Sequence, residues 1–221
     1  MILKDIKEEL QFVLKGKTLD ALVPPSLFVF TQNSLGLTTA SILALSIALL
    51  FALWRARQGQ SVIYAGFGAL TVALAASYAW WTASASNYFL PGFISGSGFS
   101  LLILSTILLK KPFVAWVSHL TRGWPLDWFW RPDIRPAYTE ITWVWFFFFT
   151  GRLLFQYQLF LNEALEQLVL WNLVLGPPAL IVLLIFTYVF GLWRLNRLKG
   201  PSVDEFIQDK KPPYEGQKRG F

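Results

Sequence analysis

No Asp, Glu, Lys or Arg occurs between Arg57 and Lys110, and the same holds from Ala21 to Trp54 and from Gln167 to Trp193. A water-facing domain carries roughly 25% charged residues to clothe its surface. This chain has 14% charged and 55% hydrophobic residues, with eleven Trp and twenty Phe among 221. Its natural surroundings are lipid. A bilayer core about 30 Å thick takes roughly 20 apolar residues as a helix, so 58–109 has room for two crossings. They part at "SASNYFLPG", where Asn87 and Pro91 suit an interfacial turn. The run 21–54 exceeds one straight crossing and breaks at Gln32, Asn33, Ser34 and Gly36. That leaves a short first segment opening with Pro24-Pro25. The expected fold is all-α, a polytopic membrane bundle over 21–197 with six crossings, near 22–33, 35–54, 60–83, 90–109, 140–161 and 167–194.

The two ends read differently. In 1–20, Ile2, Leu3, Ile6, Leu10, Val13 and Leu14 recur at helical spacing with Lys and Glu between them. This predicts an amphipathic helix on the membrane surface rather than a cleavable signal. Residues 198–221 read as a polar tail without regular structure that docks a partner or lipid headgroups, because Pro201, Pro212, Pro213 and Gly216 oppose a long helix.

Orientation follows from Lys and Arg near span ends, which favour the cytoplasm. Lys4, Lys7, Lys15 and Lys17 precede the first segment, Arg55 and Arg57 follow the second, Lys110 and Lys111 the fourth, and Arg194, Arg197 and Lys199 the last. All fall on one side if the short first segment counts as a crossing, which puts both termini in the cytoplasm. The net charge of +6 is then this bias plus attraction to anionic headgroups. Nucleic acid is not an expected partner.

The chain has no Cys and one histidine, His119. Thiolate sites, disulfides and imidazole metal clusters are excluded together. His119 is expected to hydrogen-bond its neighbours, with an axial contact to a porphyrin-type group as the alternative. Small residues at spacing four, Ala40, Ala44, Ala48 and Ala52, then Ala65, Ala69, Ala73 and Ser77, predict close packing of the second and third crossings. Gly92 and Gly96 add a G-x-x-x-G to the fourth.

The stretch 112–138, with four Trp and four Pro, cannot span a membrane. Its aromatic residues, Trp130 and Tyr138 among them, suit the headgroup level. It is expected to form an interfacial elbow whose Arg131, Asp133 and Arg135 make an ion-paired corner leading into the fifth helix.

"LLKKPFVAWV", "WRPDIRPAYTEITWVW" and "GRLLFQYQLFL", in that order, resemble a bacterial multi-pass membrane family known only as a domain of unknown function. The likeness covers roughly 20–195, with a more distant similarity to the intracellular septation protein A family. The matching positions are Lys111, Pro112, Trp130, Arg131, Asp133, Tyr138, Thr139, Trp143, Arg152 and Gln156. The resemblance implies a helical integral membrane protein and no particular chemistry; the expected location is the bacterial cytoplasmic membrane.

The crossings are read as free of acids, and no His cluster, Ser/Lys dyad or phosphate-cradling loop is present, so neither catalysis nor a proton relay is expected. No cofactor is expected. The Trp and Phe suit bound lipid, a quinone, a pigment or neighbouring helices without choosing among them. The expected function is a non-enzymatic scaffold or accessory subunit among other membrane proteins. The alternative is a carrier or pore for an anionic or amphipathic small molecule, and it rests on Arg152, mid-span in an oily helix. An unpartnered arginine there costs from about 3 to over 10 kcal/mol. It is expected to turn inward to Gln156 and to carbonyls freed at Gln32–Gly36 or Gly176–Pro178.

Overall fold

The computed structural model describes residues 17–58 and 62–221. The amphipathic helix expected over 1–20 lies outside the described residues except for its last four positions. Among the described residues the fold is all-α, with no strand. The helices are α1 (Lys17–Arg57), α2 (Val62–Trp81), α3 (Leu90–Leu108), α4 (Phe113–Arg122), α5 (Leu126–Trp130), α6 (Arg135–Leu161), α7 (Leu165–Val174), α8 (Pro177–Leu198) and α9 (Val203–Ile207), with a 3₁₀ turn over Ala85–Phe89. Three stretches are long and apolar enough to cross a membrane: Ser34–Trp54, Ala85–Leu108 and Leu165–Leu198. Ala69–Trp81 is a shorter apolar helix.

The expected break in the first apolar run is real. Gly36, at φ 79° and ψ 161°, divides α1, and such a left-handed φ favours a residue without a Cβ. The prolines do not open the helix. It begins at Lys17 and runs through Pro24 and Pro25, each of which removes one backbone donor from the second turn onward. The turn at 83–89 also falls where expected. Ala83 takes φ 50°, and the Asn87 amide donates to Thr82 Oγ1 at 2.9 Å.

The chain forms two compact units. The first contains the described residues up to Ser95 with Arg152–Ile181; the second contains Gly96–Gly151 and Val182–Phe221. In the first, α1 packs on α2. Ala40, Ala44 and Ala48 of α1 are buried, as their spacing predicts, and Phe28 stacks on Tyr88 at 4.2 Å. The α2 stripe is rotated from its expected place. Ala69 is buried, Ala73 only half-buried and Ser77 exposed, while Ala75, Ala76 and Ala79 carry the contact face. Each step of four advances about 40° around a helix, which carries Ala73 and Ser77 away from the face marked by Ala76 and Ala79. Among the described residues, a Cβ on Gly92 would meet no atom within 4 Å, and Gly96 is half-buried.

The second unit is built around aromatic rings. Val114, Ala115 and Ser118 form the buried face of α4. Val114 and Ala115 join Trp128 and Phe129 of α5, Tyr138 and Ile141 of α6, and Leu195 of α8 in one cluster. Tyr138, expected at an interface, is fully buried at its centre. Trp128 donates from Nε1 to the Pro201 carbonyl at 2.9 Å. Trp145 donates to Thr187 Oγ1 at 2.8 Å. Arg194 grips both oxygens of Glu140, at 2.7 and 2.8 Å. Glu140 corrects the reading of the crossings as acid-free. It sits in the second turn of α6, and its charge is met across the helix pair.

The tail departs most from expectation, because it is ordered and folds onto the second unit. Ser202 and Glu205 form a capping box around α9. The Glu205 carboxylate is buried and accepts from Ser202 N (2.8 Å), Glu215 N (2.8 Å) and Gly216 N (3.2 Å). One side chain thus closes the loop 202–216. These backbone donors, that of Glu215 foremost, hold the carboxyl at about 2, well below its ordinary 4.5. A depressed acid pKa stabilises the fold above the unfolded value and loses that effect as pH falls through the folded one. Amide exchange across 202–216 is therefore expected to stay flat from pH 8 to pH 5 after correction for intrinsic rates. Protection should collapse as pH approaches 2. Glu205→Gln should show the collapsed pattern already at pH 7, and unchanged protection in that variant would contradict the assignment.

Candidate functional site

The polar side chains that the sequence leaves without an explanation meet in the first unit, between the end of α6 and α7. Gln156 and Arg152 lie one turn apart on α6, hence on one face. The chain reverses at Asn162–Ala164, where Glu163 takes φ 53° and Ala164 N reaches the Leu159 carbonyl at 3.0 Å. That reversal brings Asn172 of α7 alongside. Gln156 Nε2 donates to Asn172 Oδ1 at 2.8 Å, and Arg152 Nη2 donates to the same oxygen at 3.2 Å. Gln156 is buried, Arg152 and Asn172 half-buried.

Arg152 and Gln156 are together, as expected, but two details change. Gln156 is a donor here, not an acceptor for the arginine. The acceptor for both is a side chain that sequence reasoning passed over. It lies one turn before Gly176 rather than among the carbonyls freed there. Among the described residues, no Asp or Glu lies within ion-pair distance of Arg152. Glu163 is exposed at the reversal.

The expected corner of the elbow exists in part. Arg131 binds Asp133 through two parallel bonds, Nε to Oδ1 at 2.9 Å and Nη2 to Oδ2 at 2.8 Å. That hydrogen bonding pushes the guanidinium pKa above its ordinary value. The same guanidinium lies 5.9 Å from the ring centres of Phe206 and Tyr214, so it also fastens the tail. Arg135 makes no ion pair among the described residues; its carbonyl accepts from Thr139 at 3.0 Å. Lys111 sits 6.0 Å from the Trp130 ring centre. His119 donates from Nδ1 to the Trp124 carbonyl at 2.6 Å and lies edge-on to Trp116. It thus takes the hydrogen-bonded role expected of a lone histidine.

Apart from the Thr139–Arg135 bond inside α6, the hydrogen bonds just described join one helix to another or close a corner, in a chain that is all-α among the described residues and has three membrane-length apolar stretches. The chain belongs to the DUF3159 family of proteins of unknown function, whose model matches residues 16–197. The similarity to the intracellular septation protein A family is not shown. No curated protein and no solved structure matches the chain.

Proposed function

We propose that the chain is a non-enzymatic subunit of a membrane-protein assembly, a scaffold rather than a carrier. The supporting observation is that Arg152 and Gln156 both donate to one neutral acceptor of the neighbouring helix. A solute path needs side chains that exchange partners. These cross-brace a helix hairpin, as Arg194–Glu140 and Trp145–Thr187 do elsewhere. Around the braces, α6, α7 and α8 expose large apolar side chains, Leu154, Leu170 and Val182 among them, which suit lipid and neighbouring helices alike.

The proposal includes insertion in the bacterial cytoplasmic membrane, six crossings and both termini cytoplasmic. Its support is the one-sided placement of the basic clusters. Reporter fusions after Gly59, Asn87, Gly123 and Asn162 should alternate inside, outside, inside, outside. A periplasmic signal at Gly123 would sink this topology. For the subunit reading, the chain is extracted with its native lipid in polymer-bounded discs and the particles are weighed. A stoichiometric second polypeptide is expected. A chain that comes out alone, and exchanges an anionic solute across vesicles in an Arg152-dependent way, would establish the carrier instead.

A further inference from the structure

We propose that Arg152 is the contact point for an acidic side chain, Asp or Glu, on the transmembrane helix of a partner protein. The inference rests on the subunit reading and names the chemistry of the partner. A guanidinium has five N–H donors and a charge that does not titrate away. The structure assigns one of those donors to Asn172 Oδ1, at 3.2 Å, and that oxygen already accepts from Gln156 at 2.8 Å. Both its lone pairs are taken. The cluster braces one helix against the next but keeps a net charge of +1. Arg152 is half-buried, so its remaining donors have a way out.

Three sources could balance the charge. A second copy of this chain is a poor one. Among the described residues its acids on or beside the apolar helices are Asp20 in the first turn of α1, Glu140, held by Arg194, and Glu163 and Glu166 at the reversal between α6 and α7. Along the chain each is ten or more residues from Arg152. With α6 as one of the six proposed crossings, a lipid phosphate is at the wrong depth. Arg152 is nine residues before the end of α6, about 14 Å of helix, and half a bilayer core is about 15 Å. The bond to Asn172 also ties the guanidinium down and opposes snorkelling toward the headgroups. A carboxylate carried on a helix can sit at any depth, and mid-span acids are costly enough that they seek such a partner. The flanks suit a helix: Phe155 on α6, three positions from Arg152, and Trp171 on α7, next to Asn172, are exposed and meet edge-on at 5.2 Å. They supply apolar contact beside the charge.

The test uses the full chain in phosphatidylcholine vesicles. The probe is a labelled oligo-leucine transmembrane peptide with a single central Asp. Its association is read by energy transfer against an all-leucine peptide and one with the Asp moved to its end. The central Asp should raise association about tenfold, the scale of one strong interhelical polar contact. Arg152→Leu should erase the gain and Arg152→Lys should keep most of it. Equal association of all three peptides with the unaltered chain would overturn the proposal, as would a gain that survives Arg152→Leu. If, in vesicles that also contain phosphatidylglycerol, the chain enriches that lipid through Arg152 and shows no peptide preference, the counter-ion is a lipid phosphate and the proposal is wrong. It is equally wrong if Arg152→Leu abolishes energy transfer between two labelled copies of the chain while the peptides are indistinguishable. Failure here leaves assembly through other surfaces standing, whereas a chain that extracts alone removes the subunit reading itself.

Discussion

Phe221→Ala is expected to lower the stability of the second unit by about 3–5 kcal/mol, the range for deleting a buried phenyl ring. Phe221 is 6% exposed. Its ring stacks on Tyr138 with centroids 4.3 Å apart and planes 7° apart, a geometry that adds to simple burial. Its carbonyl accepts from Arg122 Nε at 3.2 Å. Gly191 of α8 forms the opposite wall, so close that a Cβ there would fall inside the ring's envelope. Gly191→Ala should therefore be nearly as damaging, by expelling the ring. The double variant should cost much less than the two single losses added, because neighbours that share one contact are not independent. Thermal unfolding of the three variants, followed by tryptophan fluorescence, measures this. Additive losses would show that Gly191 and Phe221 do not meet. On the same grounds, deleting 203–221 should destabilise the unit rather than release an idle tail.

That tail shows where the sequence was readable and where it was read wrongly. Three prolines and mixed charges suggested a loose end. The contrary signal was Ser202-x-x-Glu205, a capping box, followed by Phe206, Tyr214 and Phe221, three aromatic rings with somewhere to go. The broad architecture was legible because it rests on local chemistry. Charge-free runs set the helices, Gly36 set the break, and Ala40, Ala44 and Ala48 set a close-packed face. The braces were less legible because they depend on register between segments. Arg152 stood out as a charge in an oily helix. Asn172 did not, since one amide in an apolar run carries no periodic signal. Only the reversal at Asn162–Ala164 brings the two together. Glu140 was overlooked for a similar reason: it lies at a helix start, and its meaning comes from Arg194, 54 positions on.

Asn172→Leu is expected to be more harmful than Arg152→Leu, although asparagine is the less conspicuous residue. Removing Asn172 Oδ1 strips both donors of their shared acceptor. The buried Gln156 amide is then unpaired, at about 1–3 kcal/mol, and the guanidinium loses a charge-assisted bond of about 1.5–3 kcal/mol. Removing Arg152 leaves the Gln156–Asn172 bond intact and takes away the charge itself. The asymmetry follows from which group is left unsatisfied, not from which is larger or more charged. A combined loss of about 3 kcal/mol or more should lower the melting temperature of Asn172→Leu in detergent by about 10 °C. Arg152→Leu should shift it far less. The triple variant with leucine at 152, 156 and 172 should recover most of the loss, because replacing a whole polar cluster by apolar groups of like size strands no donor. Recovery of stability without recovery of peptide binding would separate what the cluster does for the fold from what its charge does for a partner. An Asn172→Leu chain that melts with the unaltered protein would mean that the shared oxygen holds nothing together.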